Sequence, residues 1–254
     1  MSNWILYSDG GAELNKSAAA ACILEETATG KRTHIVSYLG AGTNNEAEIF
    51  AGLQGFAYIL SEGHSSANIQ WISDSQYALK SACEYIFNWQ KNGWKTSSKK
   101  EVKNQGLWKL FLELTRSFKI KPEHVYGHTG HIENEFCDQA TNWLRANIDS
   151  VLLPDQRATT QTLNQAPWFI FDGQKIIEQC REELSTKQSF QELVSVFDES
   201  DFDNPSAATR ELLSDAKIVS PQFAECIEKA LKLCPEKDKV SRKKLHSILE
   251  KYGK

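Results

Sequence analysis

Apolar runs broken by turn residues fill the first forty positions, and they read as three short strands over residues 4–8, 18–24 and 33–39. Thr29-Gly30-Lys31 supplies a hairpin turn between the second and third. Thr43-Asn44-Asn45-Glu46 then places a hydroxyl and a carboxylate three residues apart, the spacing of a capping box, and so predicts a helix start. Ile49, Leu53, Phe56 and Leu60 follow at helical intervals. Ala51, Gly52 and Gly55 make a neighbouring face of small residues that lets this helix approach a sheet closely, with Glu48 at its leading end. Residues 67–72 read as a fourth strand, and Tyr77, Ala78, Ala82 and Tyr85 mark a helix after it. Another helix is predicted over 107–118, a short fifth strand over 123–126, and a final helix over 133–146.

Three strands followed by alternating helices and strands predict an α/β or α+β layer fold, and of these the α/β arrangement, a mixed five-stranded sheet with flanking helices, is the one expected. The character changes over 149–167, where Pro154, Thr159-Thr160-Gln161-Thr162 and Asn164-Gln165-Ala166-Pro167 read as a polar linker. Helical spacing resumes over 175–184, 189–197, 207–213, 221–233 and 240–252, which predicts a small all-helical C-terminal domain. The expected division is 1–148 for the first domain, 149–167 for the linker and 168–254 for the helical domain. Residues 1–150 are expected to fold and act without the rest.

Bulk properties narrow the function less than the pattern does. The 254 residues carry a formal charge of −4, so any nucleic-acid contact must come from a local basic patch. Cys22, Cys83, Cys137, Cys180, Cys226 and Cys234 are scattered with no C-x-x-C pair, as in reduced intracellular proteins. The N-terminus runs straight into a strand-like stretch, and no apolar run approaches the roughly 20 residues of a membrane span. A cytoplasmic protein with no membrane partner is expected.

The chemistry lies in four short strings: Tyr7-Ser8-Asp9-Gly10-Gly11, Thr43-Asn44-Asn45-Glu46-Ala47-Glu48, Ser73-Asp74-Ser75-Gln76-Tyr77, and the stretch from Gly127-His128-Thr129-Gly130-His131 to Cys137-Asp138. Singly, Asp9 reads as a turn residue, Glu48 as a partner of the helix dipole, Asp74 as an N-cap and Asp138 as a solvated charge. Together, Asp9, Glu48, Asp74 and Asp138 would form a hard-oxygen cage for Mg²⁺ and two-metal phosphodiester cleavage. His128 and His131 suit zinc poorly, because their neighbours are carboxylates and Cys137 stands alone.

These strings, in this order, resemble the type 1 ribonuclease H family over residues 1 to about 147. The resemblance implies a ribonuclease H-like fold and Mg²⁺-dependent, endonucleolytic hydrolysis of the RNA strand of RNA–DNA hybrids, leaving 5′-phosphate and 3′-hydroxyl ends. It implies two Mg²⁺ ions with substrate, Mn²⁺ as a substitute, and Asp9, Glu48, Asp74 and Asp138 as metal ligands. His128 matches the family's proton-transfer histidine, and an unperturbed imidazole near pKa 6.5 suits that role. Asn134 and Glu135 complete the match around its loop.

The stretch from Asn88 to Asn104 looks like the family's basic protrusion, with Trp89, Trp94, Lys95, Thr96, Lys99 and Lys100 as candidate contacts to the DNA strand. Asn15, Asn44, Asn45 and Gln76 match positions that read the minor groove, where 2′-hydroxyls distinguish RNA from DNA. The chain departs from the family after Asp9, where Ala12-Glu13-Leu14-Asn15 replaces a Gly- and Pro-rich loop. The expected species is a monomer bound to a hybrid duplex. Its C-terminal domain, with basic residues over 237–244, is a candidate contact for nucleic acid or protein.

Overall fold

The computed structural model describes residues 2–14, 16–127, 130–151, 158–182 and 186–198. Strands β1 (Ser2–Glu13), β2 (Ser17–Glu26) and β3 (Arg32–Tyr38) form an antiparallel meander. The β2–β3 turn closes at Gly30, whose φ of 72° lies in the left-handed region. Helix α1 (Asn44–Ser61) leads to β4 (Ala67–Ser73), parallel to β1. A helical arm follows as α2 (Gln76–Lys80), a π-helical turn (Ser81–Tyr85) and α3 (Ile86–Lys91). Then come α4 (Gln105–Leu114), β5 (Lys119–His124), parallel to β4, and α5 (Ile132–Val151).

Helices α1 and α5 cover opposite faces of the sheet, and the two-residue period of a strand explains how. On one face, Leu6 lies beside Leu24 and Trp71 and meets α1. A Cβ on Gly55 would lie 2.5 Å from the Leu6 side chain, and one on Gly52 would lie 2.6 Å from Trp71. The small-residue face of α1 therefore permits the close packing expected of it. On the other face, Ala19, Ala21, Ile23 and Val36 pack with Cys137, Ala140 and Leu144 of α5. The capping box forms as predicted: Thr43 accepts from the Glu46 amide while the Glu46 carboxylate accepts from the Thr43 amide.

The sheet has seven strands, two more than the sequence pattern predicts. β6 (Ala158–Leu163) and β7 (Ala166–Asp172) form a hairpin, and β7 runs parallel to β3, giving the order β5-β4-β1-β2-β3-β7-β6. Of the expected linker over 149–167, residues 152–157 lie outside the described residues and the rest holds the end of α5, β6 and the first two residues of β7, so the expected all-helical region from 168 begins within a strand. Two features explain the difference. Asn164 and Gln165 both hold positive φ (53° and 63°), the backbone of a two-residue I′ hairpin turn, without the Asn-Gly pair that advertises one. Trp168, Phe169, Ile170 and Phe171 are all buried, the continuous apolar run of a parallel strand covered on both faces.

Helix α6 (Gln174–Arg181) and α7 (Thr186–Asp198) complete this flank, close to the helices predicted over 175–184 and 189–197. Phe197 packs edge-on against Tyr58 and Phe171, and Met1–Phe197 forms one compact unit. The helices predicted over 207–213, 221–233 and 240–252 lie outside the described residues. The fifth strand begins four residues earlier than expected, since its polar Lys119, Lys121 and Glu123 suit an edge strand and Pro122 is tolerated there. Among the described residues, no helix is long and apolar enough to cross a membrane.

Candidate active site

Asp9 sits in the C-terminal half of β1, an inner strand between β4 and β2, on the face of Tyr7 and Gly11 that looks toward α5. The next residue brings the second carboxylate in. A Cβ on Gly10 would lie 2.2 Å from the Glu48 amide nitrogen and 2.3 Å from the Ala47 carbonyl carbon. Only glycine lets the first turn of α1 lie directly on the strand. Asp74 follows the end of β4, the parallel neighbour of β1. Its competing role as a helix cap is taken by Ser75, whose hydroxyl accepts from the Ala78 amide at 3.2 Å.

One ligand oxygen from each of Asp9, Glu48 and Asp74 lies within 4.8 Å of the others. Asp138, on α5, stands outside this tight group; its Oδ1 accepts from the Asn142 side-chain Nδ2 at 2.9 Å. Burial, then the charges of Asp74 and Asp138, push the Asp9 carboxyl up to about 7. Burial, then Asp9 and Asp74, raise Glu48 well above the ordinary carboxylate range. A hydrogen bond from the Gly10 amide opposes both shifts and is too weak to cancel them. Glu48 Oε2 is buried with no hydrogen-bond partner. Three carboxylates crowded at this distance, one with an orphaned oxygen, fit a hard divalent cation that none of the surrounding side chains replaces.

The matched family motif has further members around this centre. Gly127 lies against Asp74, since a Cβ there would be 2.7 Å from Oδ2. His128 itself falls outside the described residues, as does Asn15. Glu135 Oε1 accepts from the Gly130 amide at 3.0 Å and so ties the far side of that loop to α5. Asn134 is buried, with its Oδ1 unpartnered. Asn44 has a defined structural role, because its Oδ1 accepts from the Ala12 amide at 2.7 Å and fixes the chain after Asp9 to the start of α1. Ala12, Leu14, Thr43, Asn44 and Asn45 line a shallow groove of about 250 Å³ there. Asn45 and Gln76 are exposed, and Leu14 is 68% exposed.

In the arm, Trp89 tilts against buried Trp108, and Lys109 Nζ sits 5.7 Å from the centre of the Trp94 ring. Both tryptophans are half-buried anchors on α4. Thr96 is committed to its own turn: its amide donates to the Lys100 carbonyl, and its hydroxyl accepts from the Lys100 amide at 3.2 Å. That turn leaves Lys95, Lys99 and Lys100 exposed.

Comparison with known proteins agrees with this architecture. The family model described as RNase H matches residues 1–144. The chain belongs to the RNase H family. A Ribonuclease H of Pseudomonas fluorescens is 40% identical over 100 residues, 39% of this chain and 64% of that protein. A Ribonuclease HI of Haemophilus ducreyi is 39% identical over 97 residues, 38% and 61% of the two chains. This RNase H chain thus matches a little under two thirds of these relatives' own length. The crystal structure of LC9-RNase H1, a type 1 RNase H with the type 2 active-site motif, superposes with a TM-score of 0.51 at 19% identity. It covers 75% of this chain and 85% of that one, and shows a shared fold.

The sequence pattern misses one element of the site's surroundings. Arg181 of α6 reaches Glu46 Oε1 at 2.7 Å and the Ala41 carbonyl at 2.8 Å, gripping the helix start that carries Glu48. Its partner lies 135 positions away, and no local pattern signals such a contact.

Proposed function

We propose that this RNase H family member hydrolyses the RNA strand of RNA–DNA hybrids endonucleolytically, leaving 5′-phosphate and 3′-hydroxyl ends. The observation that carries this reading is the crowded carboxylate group with the orphaned Glu48 oxygen. Asp9, Glu48, Asp74 and Asp138 are assigned as ligands of two Mg²⁺ ions, with Mn²⁺ as a substitute. Bound there, the metal would supply an activated water and neutralise charge developing on the phosphoryl oxygens.

The chain's own residues do the rest. Glu48 and Asp9 hold their oxygens in place through the rigid contact at Gly10. Asn44, Asn45 and Gln76 face the minor groove and select a strand bearing 2′-hydroxyls. The Asn44 side chain retains its amide NH₂ for that contact while its oxygen is held by Ala12. The lysines of the arm track the DNA strand by its phosphates. His128 is assigned the proton transfer to the leaving oxygen. The proposal also takes the protein as an intracellular monomer, with Cys22, Cys83, Cys137 and Cys180 as free thiols.

The test is a cleavage assay on hybrid, double-stranded RNA and double-stranded DNA of one sequence, with Mg²⁺ and with EDTA. Cleavage of the hybrid's RNA strand alone, dependent on Mg²⁺, is expected. Equal cleavage of all three, or of none, would sink the proposal.

A further inference from the structure

The flank formed by β7 and α6 is joined to the carboxylate end of the molecule. β7 extends the sheet at β3, and the Gly173 amide donates to the Tyr38 carbonyl at 2.8 Å. Helix α6 lies so close to α4 that a Cβ on Gly106 would sit 1.9 Å from the Cys180 carbonyl oxygen. From this seat Arg181 contacts two acceptors on the entry to α1. Its Nε donates to Glu46 Oε1, and its Nη2 donates to the Ala41 carbonyl. The other Glu46 oxygen accepts from the Thr43 amide at 2.8 Å and the Thr43 hydroxyl at 2.9 Å. Glu46 therefore ties the capping box to the flank, one oxygen for each.

The need for such a tie follows from the site. Glu48 stands two residues beyond Glu46, and its ligand oxygen lies within 4.8 Å of those of Asp9 and Asp74, so its place depends on where the first turn of α1 is held. An ordinary exposed ion pair contributes little, but the Glu46 side chain is only 11% accessible and Arg181 makes a second contact to backbone. We infer that Arg181 is a positioning residue: it clamps the first turn of α1 so that Glu48 and the groove residues Asn44 and Asn45 are presented together. The inference rests on the proposed role of Glu48 as a metal ligand, and it makes the flank a working part of the site.

The experiment uses the full chain carrying Arg181→Ala, Arg181→Lys or Phe197→Ala. Mg²⁺ affinity is measured by calorimetry without substrate, kcat and KM on a hybrid at limiting and saturating Mg²⁺, and Tm in parallel. Arg181→Ala is expected to weaken Mg²⁺ binding about tenfold, as changes beyond the ligands commonly do. Its kcat should largely recover at saturating Mg²⁺, while KM stays raised through the displaced asparagines. Arg181→Lys should restore part of the affinity, since one ammonium cannot reproduce the two-pronged contact. Phe197→Ala removes a core ring at the other end of α1, so it should lower Tm while leaving Mg²⁺ affinity unchanged.

Wild-type Mg²⁺ affinity in Arg181→Ala overturns the inference, as does an equal loss of affinity in Phe197→Ala. Should the alanine variant not fold, an unaltered affinity in Arg181→Lys overturns it. A wild-type chain that binds Mg²⁺ and cuts no hybrid refutes the proposed function, while the calorimetry still decides the clamp.

Discussion

The carboxylate end and the β6–β7–α6–α7 flank are neighbours in one compact unit and are built on opposite terms. The first gathers like charges into a half-buried space, raising Asp9 and Glu48 and leaving a Glu48 oxygen unpartnered. Such a cluster costs stability whenever its cation is missing. The flank gathers aromatic and aliphatic side chains instead, with Trp168, Phe169, Ile170 and Phe171 all buried and Phe197 closing on Tyr58. The contrast teaches that a site which strains its own scaffold needs a stable region nearby, and the two meet at Arg181 and Glu46.

The sharpest way to break this comparison is to remove the flank. Each of the four buried side chains of β7 is worth roughly 1.5–3 kcal/mol of burial. Their sum rivals the about 5–15 kcal/mol that stabilises a typical domain. A fragment of residues 1–151 would bare Leu39, Phe50 and Tyr58 and leave β3 as an open edge. It is expected to be insoluble or unfolded, whereas a fragment of 1–198 keeps fold and hybrid cleavage. Circular dichroism melts and the cleavage assay on both fragments check this. A stable, active 1–151 fragment would show the flank to be ornamental and restore the independence that the sequence suggested.

Next in size is a change at the strained end. Asp74→Asn keeps the shape and removes one charge from the cage. The metal supplies several kcal/mol of charge stabilisation, and about 1.4 kcal/mol is tenfold in rate. A fall in kcat on the order of 10³-fold is expected, with hybrid binding by gel shift retained. The same variant should melt higher than wild type in EDTA, because one repulsive charge is gone. Activity within tenfold of wild type at saturating Mg²⁺ would remove Asp74 from the assignment.

Why the two regions differed in legibility is physical. The carboxylate end is written in local strings: a capping box, a glycine beside Asp9, and a small-residue face on α1 each specify their own neighbourhood. The central sheet and its two covering helices were readable for that reason. The flank depends on a parallel pairing of β7 with β3, more than 130 residues apart (His34 with Trp168). Trp168 to Phe171 offered the signal of a doubly buried strand, but Pro167 and the polar run before it resembled a linker. Gly10 was legible as a turn residue and not as the contact surface for Glu48, because that requires knowing that α1 crosses β1 there.

A milder probe of the same contrast is pH. Asp9, near 7 in the folded metal-free protein, keeps a proton that the unfolded chain releases from a group of ordinary value 3.8. The folded state thus binds more protons between those values. Stability from neutral Asp9 is present at low pH and is lost as pH rises through about 7. In EDTA, Tm should fall between pH 5 and 8, and Mg²⁺ should restore it most at pH 8, since metal replaces the proton. Asp9→Asn should flatten the EDTA profile. A Tm that rises across that range without metal would contradict the charge balance assigned to the site.

The smallest expected effects lie on the arm, which combines both building styles. Half-buried Trp89 and Trp94 seat it on α4, and the Thr96 turn directs three lysines outward. Replacing Lys95, Lys99 and Lys100 together by alanine should raise KM on hybrids several-fold at low salt. Each lost phosphate contact removes about 0.7–0.9 from the slope of log K against log salt, so a triple loss flattens it by about 2–3. Trp94→Ala leaves every charge in place and loosens only the seat beneath Lys109. It should weaken binding with a smaller change of slope, because displaced lysines still attract phosphate through solvent. Fluorescence anisotropy from 50 to 300 mM salt separates the two variants. If Trp94→Ala flattens the slope as much as the triple lysine change, the lysines act only when held rigidly. If neither variant alters the slope, the duplex does not lie along the arm at all, and the DNA strand must be gripped elsewhere on the molecule.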